Sequence, residues 1–170
     1  MNPLTSVSTR ADDLDLMITR MLDAPRELVF QAWTDPEQLV QWYAPPGCQI
    51  HFRQIDIQEG GTFHSCIQTP SGYRCWCIGR YAEIVPPERI VFTMASANAD
   101  GQQIDSAAAG HDPEWPAETT VTVTLSEVAG QTKLILTQTV RESLAKRTGA
   151  YPSWIQMLDC LAQLVERADA

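Results

Sequence analysis

Toward the end of the sequence one apolar stripe recurs every three or four residues: Trp154, Met157, Leu158, Leu161, Leu164 and Val165. Gln156, Asp159, Gln163, Glu166 and Arg167 fall mostly on the other side. The spacing predicts an amphipathic helix of about sixteen residues, roughly 24 Å long, with Pro152 near its start. Such a stripe has to be buried, and the preceding sequence says against what. From Ile50 to Val140 the apolar period is that of strands: Ile50–Ile57, Thr62–Gln68, Tyr73–Ile84, Arg89–Ala95, Thr119–Ser126 and Lys133–Val140. Gly60-Gly61, Thr69-Pro70-Ser71-Gly72, Val85-Pro86-Pro87-Glu88 and Ala129-Gly130 punctuate them. Earlier, Leu14, Leu16 and Ile18 alternate on a first strand. Asp23-Ala24-Pro25 and Asp35-Pro36-Glu37 then each open a short helix, the first capped at Asp23 or Ala24, and Ala44-Pro45-Pro46-Gly47 ends the pair. A meander of antiparallel strands with one apolar face needs a cover. The expected class is therefore α+β: a curved antiparallel sheet of six to seven strands wrapped on the long C-terminal helix, with two short helices after the first strand.

The chain has 170 residues, 44% of them apolar, and a formal charge of −9 from 12 basic and 21 acidic side chains. That length predicts one domain over residues 14–170, preceded by a flexible tail over 1–13. The acidic balance argues against nucleic acid as a partner. No run reaches the roughly 18 apolar residues of a membrane span. Five cysteines, Cys48, Cys66, Cys75, Cys77 and Cys160, form an odd set without an export signal. Reduced thiols and a cytoplasmic location are the expectation.

Four of the soft side chains are tempting as a zinc site: His64-x-Cys66 and Cys75-x-Cys77 flank one hairpin. The turn between them decides. Pro70 suits the first central position of a type I turn and Gly72 the left-handed position of a G1 bulge. That turn pairs Thr69 with Tyr73, Ser65 with Cys77 and Ile67 with Cys75, so His64 and Cys66 point away from the two later thiols. A two-residue turn would instead gather all four. The first register is the expectation, with no metal and no cofactor. It also sets Phe63 across from Gly79, a ring covering bare backbone, and puts Ser65, Cys75, Cys77 and Tyr81 on the same face.

Residues 96–117 are rich in Ala, Ser, Asp, Gly and Pro without periodicity, a loop long enough to be mobile or functional. His111, beside Asp112 and Glu114, has the chemistry of a general base, yet on an acidic loop it reads as solvated surface. Nucleophile elbows, phosphate loops and calcium loops are absent from the sequence. No catalytic residue is assigned. Asp56 and Glu83 read as structural carboxylates at strand ends.

Several blocks together resemble a known family. Thr19-Arg20-Met21-Leu22-Asp23-Ala24-Pro25-Arg26-Glu27-Leu28-Val29-Phe30 is similar to its opening signature, continued by Ala32-Trp33-Thr34-Asp35-Pro36-Glu37 and Gln41-Trp42-Tyr43-Ala44-Pro45. Asp56 with Gly60-Gly61-Thr62-Phe63, then Glu83 to Ile90, then Trp154 to Leu161 complete the match, which runs over about residues 14 to 167. The chain resembles the bacterial activator of Hsp ATPase homologue-like group of the SRPBCC, or START-like helix-grip, superfamily. Gln58 departs from it, standing where many relatives carry a basic residue, as does the long 96–117 loop.

The resemblance implies a helix-grip fold with a cavity between sheet and final helix, the face bearing Phe63 being concave. Members bind lipids, steroids, polyketides or other hydrophobic ligands, and some are enzymes. The namesake eukaryotic domain stimulates the ATPase of heat-shock protein 90. The expected role is thus binding of a small hydrophobic or amphipathic ligand. Its contacts would be Trp42, Tyr43, Phe63, Ser65, Cys75, Cys77, Tyr81, Phe92, Met94, Trp154, Met157, Leu158 and Leu161. Trp33 reads as ordinary core. A co-chaperone-like protein-interaction domain linked to stress response is the rival reading, and a cyclase- or hydrolase-type enzyme ranks behind it. A homodimer stays open.

Overall fold

The computed structural model describes residues 14–169; the expected tail over 1–13 lies outside them. Strand β1 (Asp15–Leu22) leads into helices α1 (Arg26–Thr34) and α2 (Pro36–Trp42). Strands β2 (Gln49–Ile55), β3 (Thr62–Gln68), β4 (Arg74–Val85), β5 (Arg89–Ser96), β6 (Glu118–Val128) and β7 (Gln131–Arg141) come next. Helices α3 (Glu142–Thr148) and α4 (Ala150–Asp169) close the series. The seven strands form one antiparallel sheet in the order β1-β7-β6-β5-β4-β3-β2. It curls around α4, which makes this the helix-grip architecture.

Local chemistry accounts for most boundaries. Asp35 caps α2, its carboxylate accepting the Glu37 N–H at 3.0 Å, with Pro36 in the first turn. The cap of α1 is Pro25 itself, in an extended conformation with no side-chain bond, rather than Asp23 or Ala24. Pro25 works there because its carbonyl accepts the first helical N–H groups, from Leu28 at 3.0 Å and Val29 at 3.2 Å. Leu14, expected on the buried face of β1, is 60% exposed, because it lies just before the strand begins at Asp15. Leu16 and Ile18 do face the core. Helix α3 has no counterpart in the sequence reading. It spans only two turns, with Leu144 and Ala145 buried, and ends at Gly149 in the left-handed conformation.

The β3–β4 hairpin has the register that Pro70 and Gly72 predict. Gly72 (φ +91°) donates its N–H to the Thr69 carbonyl and Thr69 donates to that of Tyr73, both at 2.9 Å. Ser65 pairs with Cys77, Ile67 with Cys75 and Phe63 with Gly79. A Cβ on residue 79 would overlap the Phe63 ring and the Thr93 carbonyl, so the ring lies directly on bare backbone.

The core fills the concave side. Leu16, Val121, Val123, Leu134 and Leu136 from the sheet meet Leu158, Leu161 and Val165 of α4. An Arg20–Asp159 ion pair and a bond from the Asp23 N–H to Glu166 Oε2 (2.9 Å) tie that end of α4 to β1. Among the described residues no helix is long and apolar enough to cross a membrane.

Candidate functional site

Helix α4 touches the sheet tightly along its second half and stands off it along its first. Leu158, Leu161 and Val165 are fully packed, whereas Trp154 and Met157, one turn earlier, border an open space. That space is a cavity of about 790 Å³ between β3, β4, β5, β7, the first turns of α4 and the loop segment from Gly110 to Trp115. Phe63, Ile67, Met94, Met157 and Trp154 supply its apolar walls. Exposed Thr148 and Gly110 mark its rim.

Polar groups are placed by the alternation of the strands. Gln138 occupies an inward position of β7 between Leu136 and Val140 and is 2% exposed. Its amide is held at both ends: Oε1 accepts the Trp154 indole N–H at 2.9 Å, and Nε2 donates to Thr119 Oγ1 at 3.0 Å. One buried network therefore joins β6, β7 and α4 across the cavity wall. Ser65 and Ser96 add hydroxyls from β3 and β5, and Ser153 adds one from α4.

The loop brings in the remaining chemistry. His111 lies within 3.0 Å of Ser96 Oγ through Nδ1 and 3.5 Å of Cys75 Sγ through Nε2. Thiol, imidazole and hydroxyl thus form a chain with the outline of a nucleophile, a base and its orienting group. Burial sets its resting state. It pushes the Cys75 thiol up, with the Cys66 sulfur adding to the effect, and pushes the His111 imidazole down. The pair therefore rests as neutral thiol and neutral imidazole, and the thiol is not an activated nucleophile. Cys77, farther along the same wall, is pushed up to about 12 by burial first and by Cys75 second.

The loop is fastened from outside. Arg147 of α3 bridges Asp112 at 3.2 Å and Glu114 at 2.9 Å, and Arg141 reaches Glu114 at 3.6 Å. Inside the loop, Ser106 donates to the Trp115 carbonyl at 2.9 Å, and from the β3–β4 turn the Tyr73 hydroxyl donates to the Ala109 carbonyl at 2.9 Å. His111 is therefore not solvated surface. A histidine between two glycine- and proline-bearing turns gives no periodic signal, and its partner Cys75 stands 36 residues away.

Of the residues expected at the ligand, Tyr43, Phe63, Ser65, Cys75, Cys77, Met94, Trp154 and Met157 line the cavity. Trp42, Tyr81, Phe92, Leu158 and Leu161 do not. Trp42, the last residue of α2, is buried against α1, its indole N–H donating to the Ala32 carbonyl at 3.0 Å. Tyr81 and Phe92 pack on Phe63 with ring centroids 5.8 and 6.3 Å away, around a remnant void of about 10 Å³. Leu158 and Leu161 belong to the closed half of the α4 seam. The polar members missed from sequence are His111, Asp112, Ser96, Thr119, Gln138, Thr148 and Ser153. Gln138 carries a usable signal, a lone amide in an inward row of Leu and Val.

His64 and Cys66 do point to the convex side, but they are covered rather than solvated. His64 stacks near Trp76, centroids 5.0 Å apart, and its Nε2 lies 3.0 Å from the Asn98 carbonyl. Cys66 is fully buried. The first half of the 96–117 loop is what covers His64: Asn98 folds it back by accepting the Asp100 and Gln102 N–H groups at 3.0 Å each. Glu83 pairs with Arg89 at 3.1 Å, and Asp56 accepts the Gln58 side-chain amide at 3.0 Å, so both serve local structure.

Comparison with known proteins gives the same picture. The family model for Activator of Hsp90 ATPase homolog 1-like protein matches residues 23–166. A protein from Chromobacterium violaceum of known crystal structure is 29% identical, with 89% of this chain and 96% of that one covered and a TM-score of 0.74. An AHSA1 protein from Silicibacter pomeroyi is 23% identical over 88% of this chain and 96% of its own, with a TM-score of 0.69. A protein from Arthrobacter aurescens, 19% identical, superposes over 92% of this chain and 88% of its own with a TM-score of 0.79. Among curated proteins none matches the chain.

Proposed function

The chain belongs to the Activator of Hsp90 ATPase homolog 1-like family, whose fold serves ligand binding or co-chaperone roles, and from that premise we propose that it binds a small hydrophobic or amphipathic molecule between sheet and C-terminal helix. The observation that carries this is the cavity of about 790 Å³, walled by aromatic and aliphatic side chains with a few convergent polar groups. Small-molecule sites have that size and that balance. Ordinary cores close such spaces, since wall atoms without neighbours lose contact energy. The network from Thr119 through Gln138 to Trp154 supports the same reading, because it holds one wall rigid without needing a ligand to order it.

Chemistry on the ligand is a weaker reading. Cys75 and His111 are within reach of each other, but both rest neutral, and the carboxylate on the wall, Asp112, is engaged by Arg147. The test is native mass spectrometry on protein purified gently from its own host. The expected result is a reproducible mass increment that denaturation releases. A cavity empty in every gentle preparation counts against the proposal.

A further inference from the structure

Resting on that binding reading, we propose that the cavity selects uncharged molecules, an apolar body ending in one or two hydrogen-bonding groups, and rejects anions built on the same body. The lining contains no lysine and no arginine among the described residues. Apart from Asp112, its polar side chains carry no formal charge, among them the hydroxyls of Ser65, Ser96, Thr119 and Ser153, the Gln138 amide and the Cys75 and Cys77 thiols. His111 would be the natural counter-charge for a carboxylate, but burial disfavours its protonated form. The guanidiniums nearest the loop, Arg147 and Arg141, are engaged by Asp112 and Glu114. Asp112, the one formal charge on the lining, is negative and faces Arg147.

An anion entering this space gives up its water for no opposite charge, which is unfavourable. A hydroxyl or carbonyl gives up far less, and finds donors and acceptors already aimed inward. The overall charge of −9 opposes anion approach as well. Amphipathic in this site therefore means a neutral head, such as an alcohol, ketone or phenol, and excludes the fatty-acid type of anion.

The test is a matched pair of fluorescent probes near neutral pH. Phenylnaphthylamine is neutral, and anilinonaphthalenesulfonate carries the same ring skeleton with a sulfonate. Octanol and octanoate then serve as competitors against the neutral probe. Phenylnaphthylamine should bind at least about tenfold tighter, equivalent to roughly 1.4 kcal/mol, and octanol should displace it where octanoate does not. Cys77→Phe, which fills the cavity from its sheet wall, should abolish the signal; the wild-type comparison stands alone should that variant fold poorly. Equal or tighter binding of the sulfonate, or equal displacement by octanoate, overturns the selection while leaving ligand binding intact. No binding of either probe overturns both.

Discussion

Gln138 shows how one side chain can serve both stability and the cavity. A buried amide costs free energy unless both ends are bonded, and here Trp154 and Thr119 satisfy it. Gln138→Leu orphans the indole N–H, and Trp154→Phe orphans the amide oxygen; each should cost about 1–3 kcal/mol. The double variant should cost less than the sum by about 1 kcal/mol, because the second change removes a partner already lost. Urea unfolding of the four proteins of that cycle measures this, and strict additivity would mean the bond contributes nothing. Gly79 makes a different demand. Added as alanine, its methyl overlaps the Phe63 ring and the Thr93 carbonyl at once. Only the ring could rotate away, so Gly79→Ala should destabilise by about 3 kcal/mol, read as a lowered urea midpoint.

At the scale of elements, the legible part of the fold is the part dictated by period and turn chemistry. The seven strands, the two early helices and α4 each repeat a local pattern, and the β3–β4 register is set by Pro70 and Gly72 alone. The α3 helix is not legible, since two turns hold too few residues for a stripe, although Glu142 at its start, Lys146 and Arg147 at its end and Gly149 beyond it are the ordinary termini of a helix. About half of the cavity wall is legible because it belongs to strands. The rest comes from Tyr43, from the start of α4 with the α3–α4 junction, and from Gly110 to Trp115 of the 96–117 loop, whose path depends on contacts between residues far apart in sequence. That loop is fastened chiefly by Arg147, an exposed side chain on α3. Arg147→Gln should change global stability by less than about 1 kcal/mol, as exposed pairs do. It should nevertheless speed amide hydrogen exchange across residues 106–115, where the clamp acts, while exchange in β6 and β7 stays unchanged. Unaltered exchange in the loop would show that its other bonds, from Ser106 to Trp115 within it and from Tyr73 of the β3–β4 turn to Ala109, suffice to hold it.

For the whole molecule, a neutral cavity inside an acidic surface predicts a particular dependence of stability on pH. His111 is pushed down from its ordinary value of 6.5 by burial. Below that value the unfolded chain takes up a proton that the folded one refuses, so its contribution is present above 6.5 and is lost as pH falls toward the folded value. The thiols act at the other end. Cys77 rises from about 9 to about 12, and burial pushes Tyr81 up as well. Above 9 the unfolded chain releases a proton that the folded one keeps, so this contribution is present below 9 and lost as pH climbs toward about 12. Stability should therefore be flattest between these limits and fall on either side. Ordinary carboxylates titrate near 4, well below the first step of the acid limb, which isolates the histidine. In His111→Gln the loss just below 6.5 should be shallower than in wild type, and in Cys77→Ala the loss above 9 should be shallower. Urea midpoints across the pH range measure both limbs. An acid limb equally steep in His111→Gln would mean that the imidazole is solvated in solution, and below 6.5 it would add a cation to the neutral wall on which the selection of uncharged ligands rests.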